Sequence, residues 1–195
     1  MRRIVVHLQT TVDNRIANTS GGFWEPFPWG EPESAYLNTF FRQADTWAMS
    51  RVMYDAIVPW WETVARGEVP ADSSGLGPAD REFATILAGV DKVVFSRTME
   101  SAGDRIVIAG DLAAQLAGLK AQAGKNIVLA CGPVTLGPLL AAPGLVDELL
   151  LAVHPVVLGN GPRMFDHTTA ELTLRLIEAK TFDGGVVVLR HEVTH

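Results

Sequence analysis

Cysteine is almost absent from this chain of 195 residues: Cys131 stands alone. An internal disulfide is therefore excluded, and no Cys/His set has the spacing of a zinc site. Charge is also sparse. Asp, Glu, Lys and Arg make up 19% of the residues, the formal balance is −6 and there is no Lys/Arg-rich run. That composition removes nucleic acid and membrane surfaces from the expected partners. No apolar run reaches the length needed to span a bilayer. MRRIVVHLQTTV puts two arginines ahead of a hydrophobic stretch, but His7, Gln9 and Asp13 interrupt it and no small-residue cleavage site follows. A signal peptide is not expected, and the cytoplasm is the expected location. The GxxxxGK[ST] signature of P-loop phosphoryl transfer is missing too. Gly159-Asn160-Gly161 begins like GxGxxG, but Pro162 follows directly and Met164 takes the last glycine position. The run reads as a turn between strands.

What the chain does have is apolar substance, at 48% of residues. This is enough for one domain over 1–195 with a sizeable core. No internal repeat or low-complexity segment divides it. RRIVVHLQT alternates Ile4, Val6 and Leu8 against Val5, His7 and Gln9, the pattern of a strand with one mixed face. VDNR then turns the chain. From Ile16 to Gly30 an excursion rich in Gly, Pro and aromatics has the length and composition of an ordered lid. A helix is expected from Pro32 through AYLNTFFRQ, with Tyr36 or Leu37, Phe40 and Phe41 on one face. DTWAM follows as a strand. The next helix, RVMYDAIV, should close at Pro59, with a loop from Trp60 to Pro78. PADREFATILAGV is an amphipathic helix started by Pro78 and stopped at Gly89. DKVVFS and RIVIAG read as strands, and Asp111 as the cap of LAAQLAGLKAQAG. NIVLA is a short buried strand. The helix after Pro133 should be weak or kinked, because it contains Gly137-Pro138. ELLLAVHPVVL is a further buried strand, and ELTLRLIEAKTF with GGVVVLRHEV makes a hairpin about Asp183-Gly184-Gly185. Strand and helix alternation implies an α/β, mostly parallel, doubly wound sheet with an antiparallel C-terminal hairpin. The outer edge of that hairpin must be covered or paired, which points to a homodimer through those strands.

Three strand ends carry groups suited to phosphate: Ser50-Arg51, Ser96-Arg97-Thr98 and Cys131-Gly132. In a parallel sheet these ends share one edge, where helix N-termini offer free N–H groups and arginine adds a planar fork. Cys131 at a helix start has the position of an activated thiolate, yet no histidine is placed to serve it, so it reads as a small packed residue. His7 and His154 read as partly buried strand residues, and His191 and His195 as exposed. Glu33 is the best-placed carboxylate for proton donation, because Trp24, Phe27 and Trp29 would desolvate it. Its position in a first turn is equally that of a dipole-complementing residue. Asp13 is a second candidate acid with an alternative reading as a turn former. Trp47, Trp60 and Trp61 are candidates to line a pocket for a flat heterocycle, or else core. Gln9, Trp29 and Trp60 are the candidate substrate contacts.

The run GLVDELLLAVHPVVLGNGPRMF resembles the C-terminal signature of the dihydrofolate-reductase-like superfamily. Within it, the branch of the riboflavin-biosynthesis reductase domain and its stand-alone relatives is most similar. Upstream, VDNRIA is similar to the first-strand exit of that family, SRVMYDAI to its Gly-Arg-x-Thr-Tyr-Glu helix start, and VVFSRT to its Ser-Arg-Thr turn. Cys131-Gly132 stands where the family has a Gly-Gly pair, often joined by a cis peptide that this chain is expected to repeat. The resemblance implies a reductase fold using NADPH. On that basis Ser50, Arg51, Val52 and Met53, with Cys131, Gly132, Pro133, Val134 and Thr135, carry the diphosphate and nicotinamide half. Ser96, Arg97 and Thr98 hold the 2′-phosphate, and Ala17 meets the carboxamide through its backbone. The implied substrate is a small nitrogen heterocycle, pterin- or pyrimidine-like, including the 5-amino-6-(5-phosphoribosylamino)uracil type of riboflavin biosynthesis. The chain departs from the family at Ser50, Met53 and Cys131, and Ser34 rather than Glu33 occupies the position of the folate-enzyme acid. The Asp-Pro-x-Leu-x-x-Arg segment of the riboflavin enzymes has no counterpart, and no deaminase domain is expected ahead of the fold. The other reading is a module that binds NADP(H) or another nucleotide without turnover.

Overall fold

The computed structural model describes residues 1–21, 26–27, 29–70 and 75–194. Its frame is an eight-stranded sheet in the order β4-β3-β2-β5-β1-β6-β8-β7. β1 (Ile4–Thr11), β2 (Ala44–Ser50), β3 (Asp91–Phe95), β4 (Arg105–Ile108), β5 (Asn126–Ala130) and β6 (Glu148–His154) run parallel. β8 (Val187–Thr194) pairs antiparallel with β6, and β7 (Thr173–Thr181) pairs antiparallel with β8 at the edge. This is the expected doubly wound α/β sheet with its antiparallel hairpin. Phe182 and Val186 bracket the hairpin turn, and Gly185 takes φ +84° within it.

β1 lies at the centre. Ile4, Val6 and Leu8 enter one core with Ile127, Leu129, Leu136 and Leu149, whereas Val5 faces Leu150, Ala152, Val186 and Val188 on the other side. The helices are α1 (Glu31–Phe41), α2 (Arg51–Ala65), α3 (Pro78–Ala88), α4 (Leu112–Ala121) and α5 (Pro133–Ala141). Asp111 caps α4 as expected, its carboxylate accepting from the Ala114 N–H at 3.0 Å.

Four expectations are corrected. α2 does not close at Pro59 but runs on to Ala65. Burial of Val58 and Val64, and a Trp61–Phe83 ring contact at 4.8 Å, offset the hydrogen bond that Pro59 cannot donate. α1 does not present one apolar face. Phe41 packs on Trp47 and Phe83, Phe40 and Tyr36 join the Val5 side, and Ser34 and Asn38 bond across to α3. The helix is wedged between α3 and the sheet, so more of its circumference is covered. β6 stops at His154, and Pro155 begins a loop. His191 is half-buried inside β8 rather than exposed, since β8 is an interior strand. His195 lies outside the described residues.

Candidate functional site

The sheet order brings the carboxyl ends of β3, β2, β5, β1 and β6 side by side along one edge. With strands about 4.8 Å apart, the turns after β3, β2 and β5 fall within about 10 Å of one another. The three phosphate-suited strand ends therefore converge. Arg51 Nη1 donates to the Thr98 hydroxyl at 2.8 Å, tying the start of α2 to the turn after β3. Its Nε donates to Asp55 at 3.1 Å. Ser96 Oγ accepts from the N–H groups of Thr98 and Met99, which rigidifies the turn, and Arg97 stays exposed beside it. Ser50 caps α2, with its Oγ accepting from Met53 N at 3.4 Å.

At the end of β5, Cys131 is buried and Gly132 is the extended cap residue of α5. No cis peptide bond occurs among the described residues, so the expected cis bond at Cys131-Gly132 is absent. Gly132 keeps an ordinary extended φ of −73° as it enters the helix. A Cβ at Gly132 would meet nothing within 4 Å, so the surface in front of α5 is open. Burial pushes the Cys131 thiol up to about 12, which rules out a reactive thiolate at neutral pH. Gly137 has a tertiary purpose: a Cβ there would run into the backbone of His167, so the glycine lets that loop lie on α5.

On the next two strands the loop after β1 and the loop after β6 are locked together. Asp13 accepts from the Thr11 hydroxyl at 2.6 Å, Leu158 N at 3.2 Å and Gly159 N at 2.9 Å. Arg15 donates to the carbonyls of Gly161 and Gly159. The Thr11 hydroxyl, then the two backbone N–H groups, hold the Asp13 carboxyl well below the usual carboxylate range. It is ionised at neutral pH and engaged by loops, so its candidacy as proton donor is withdrawn. Gly159-Asn160-Gly161 is the expected turn, and Gly161 lies against the Ala17 carbonyl.

Glu33 is buried at the head of α1, where Oε2 accepts from Gly30 N at 3.1 Å. The other carboxylate oxygen faces Gly184 in the hairpin turn. Phe27 is buried and Trp29 half-buried, while Trp24 lies outside the described residues. Ser34 turns away to Asp80 at 3.2 Å. Trp60 is not brought to this edge: it sits in the third turn of α2 against Trp61, 4.7 Å between ring centroids, in a chain that continues to Phe83. Trp47 is buried against Phe41 and Phe83 as core.

Two histidines read as core lie on the α1-facing side of β1 and β6. His154 is fully buried, its Nε2 lies 3.1 Å from Gln9 Oε1, and its ring packs on Phe27 at 4.9 Å and Trp29 at 5.6 Å. His7 shares the α1-facing side of β1 with Val5 and Gln9. A second signal also escaped strand-by-strand reading. Val12, Val52, Val134 and Val157 are all exposed, one beyond each of the four adjacent ends of β1, β2, β5 and β6. Aligned on one edge, they form the apolar rim expected of a ligand surface.

The fold is matched by known proteins. The family model described as RibD C-terminal domain matches residues 2–188. The uncharacterized protein YyaP of Bacillus subtilis is 29% identical over 189 residues, covering 95% of this chain and 92% of YyaP. A diaminohydroxyphosphoribosylaminopyrimidine deaminase/5-amino-6-(5-phosphoribosylamino)uracil reductase from Thermotoga maritima superposes with TM-score 0.68 at 11% identity, over 99% of this chain and 57% of that one. Dihydrofolate reductase from Enterococcus faecalis, complexed with NADP(H), superposes with TM-score 0.62 at 11% identity, over 99% and 97%.

Proposed function

Because the chain belongs to the family of RibD C-terminal domains, we propose that it is an NADPH-dependent reductase. It delivers hydride to a small nitrogen heterocycle of pterin or pyrimidine type, 5-amino-6-(5-phosphoribosylamino)uracil compounds included. The observation that carries the cofactor assignment is the Arg51–Thr98 hydrogen bond, with Arg97 exposed alongside. Two guanidinium groups and the hydroxyls of Thr98 and Ser96 gather on adjacent strand ends, the donor set a phosphate monoester requires and a free ribose hydroxyl does not. The open surface at Gly132 and the first-turn N–H groups of α2 and α5 suit a diphosphate between them.

NADPH, when bound, supplies the hydride. The chain's own residues bind, orient and dry the site. Ala17 holds its backbone against the Gly161 loop beside the nicotinamide position, and Phe27 and Trp29 exclude water over the substrate. The proton comes from Glu33 or from water.

Fluorescence titration tests the cofactor. Arg97→Ala should weaken NADPH at least about tenfold, the loss of one charge-assisted contact, and leave NADH unchanged. Equal weakening of both cofactors overturns the 2′-phosphate assignment. Oxidation of NADPH is then followed with pterins, pyrimidines and the ribosylaminouracil phosphate. Tight NADPH binding with no oxidation by any of them leaves a cofactor-binding module in place of a reductase.

A further inference from the structure

His7 Nε2 is buried and has no hydrogen-bond partner among the described residues, although the residue as a whole is not fully buried. An unpaired polar atom in a protein interior costs about 1–3 kcal/mol and is rare enough to require an explanation. Its surroundings supply one. His7, Gln9 and His154 form a polar line across the α1-facing side of β1 and β6, in a wall otherwise built from Val5, Leu150 and Ala152. The line ends beneath Phe27 and Trp29, at the carboxyl edge where the cofactor set lies. Gln9 and His154 pair with each other: Gln9 Oε1 takes the His154 N–H, which fixes the amide and directs its NH2 group away from His154.

We propose that His7 is a specificity-determining residue of the substrate pocket, its Nε2 pairing with the ring N–H of an uncharged lactam-type heterocycle whose carbonyl receives the Gln9 amide. The inference rests on the reductase reading for the placement of the cofactor, but not for the pairing itself. Burial, then the neighbouring His154, lowers His7 to about 4, so its ring meets the ligand neutral at physiological pH. A neutral acceptor beside an amide donor matches the alternating N–H and C=O of a lactam edge. It offers no countercharge to a ring bearing a carboxylate or phosphate, which must project toward Arg51 and Arg97 or into solvent.

The probe pair is lumazine and 1,3-dimethyllumazine, bicycles that differ only in their blocked N–H groups. Each is titrated by tryptophan fluorescence into the full chain with and without NADPH. The expected result is lumazine binding at least about tenfold tighter than the dimethyl compound, the scale of one good hydrogen bond at a desolvated site. His7→Leu should abolish that preference without lowering the melting temperature, since it removes an unpaired polar atom at similar volume. His7→Gln, which keeps a hydrogen-bonding group, should restore part of it. The proposal is overturned if His7→Leu keeps the preference, if its melting temperature drops as for a core histidine, or if neither bicycle binds. NADPH binding without lumazine discrimination sinks this pairing and spares the cofactor reading. Discrimination without NADPH binding does the reverse.

Discussion

Replacing Gly161 by alanine tests whether the edge of the site depends on backbone meeting backbone. Gly161 has φ +103°, outside the range of L side chains, and a Cβ would fall well inside van der Waals contact with the Ala17 carbonyl oxygen. The strained backbone costs about 1–2 kcal/mol. Forcing the Ala17 segment away costs about 1–3 kcal/mol more, as overpacking does. Reduced freedom of the unfolded chain returns about 0.4–1 kcal/mol. The net loss is about 1–4.5 kcal/mol. Gly159 is the internal control, since it has φ +75° yet a Cβ there would meet nothing within 4 Å. Gly159→Ala keeps only the strain and the return, a net of about 0–1.5 kcal/mol. At about 2–4 °C per kcal/mol for a chain of this size, Gly161→Ala should melt about 2–18 °C lower, and always lower than Gly159→Ala, whose shift should stay below about 6 °C. Thermal melts at matched concentration and pH read the difference. Equal shifts for the two variants would refute the close approach of residues 17 and 161.

His7 should impose a slope on the acid side of the stability curve. Its folded pKa of about 4 lies below an unfolded value of about 6.5, so the unfolded chain takes the proton first. Stability from this group is complete above about pH 6.5 and lost as pH falls toward 4, by about 3 kcal/mol at most. Urea titrations of wild type and His7→Leu between pH 7 and 4 should therefore diverge toward acid, wild type losing stability that the variant keeps, and parallel curves would contradict the assignment. We further propose that β7 forms a homodimer edge. All but one of its nine residues are exposed, with Leu174 40%, Leu176 53% and Ile177 39% accessible. A solution mass should give a dimer that Leu176→Lys converts to monomer, while a wild-type monomer at micromolar concentration would refute the pairing.

The regular elements were legible wherever one local rule dominated. Asp111, Pro78 and Gly89 mark helix ends through their own chemistry, and the apolar runs of β5 and β6 admit little but buried strands. The run from Gly144 to Phe165 carried the family resemblance that the RibD C-terminal domain match bears out. Pro59 misled because helix propensity is weaker than the burial of Val58, Val64 and Trp61, and burial depends on where α3 lies. The cofactor set was half legible: the strand-end residues were identifiable in sequence, but the Arg51–Thr98 bond spans 47 positions and exists only because β2 and β3 are neighbours. Asp13 and Glu33 were indistinguishable as acids until their partners were known. One is engaged by a loop 145 residues away, and the other is folded into a helix cap.

Sequence alone determined the alternation of elements, the helix caps, the family and the strand ends suited to phosphate, because each depends on residues within a few positions of one another. Tertiary structure decided the strand order, the locking of the two edge loops, the apolar valine rim and the line of His7, Gln9 and His154. These depend on long-range neighbours. A histidine in a strand has the same local pattern whether its ring is satisfied core or an open pairing group. Only the packing of β1 against β6, under the rings of Phe27 and Trp29, distinguishes the two.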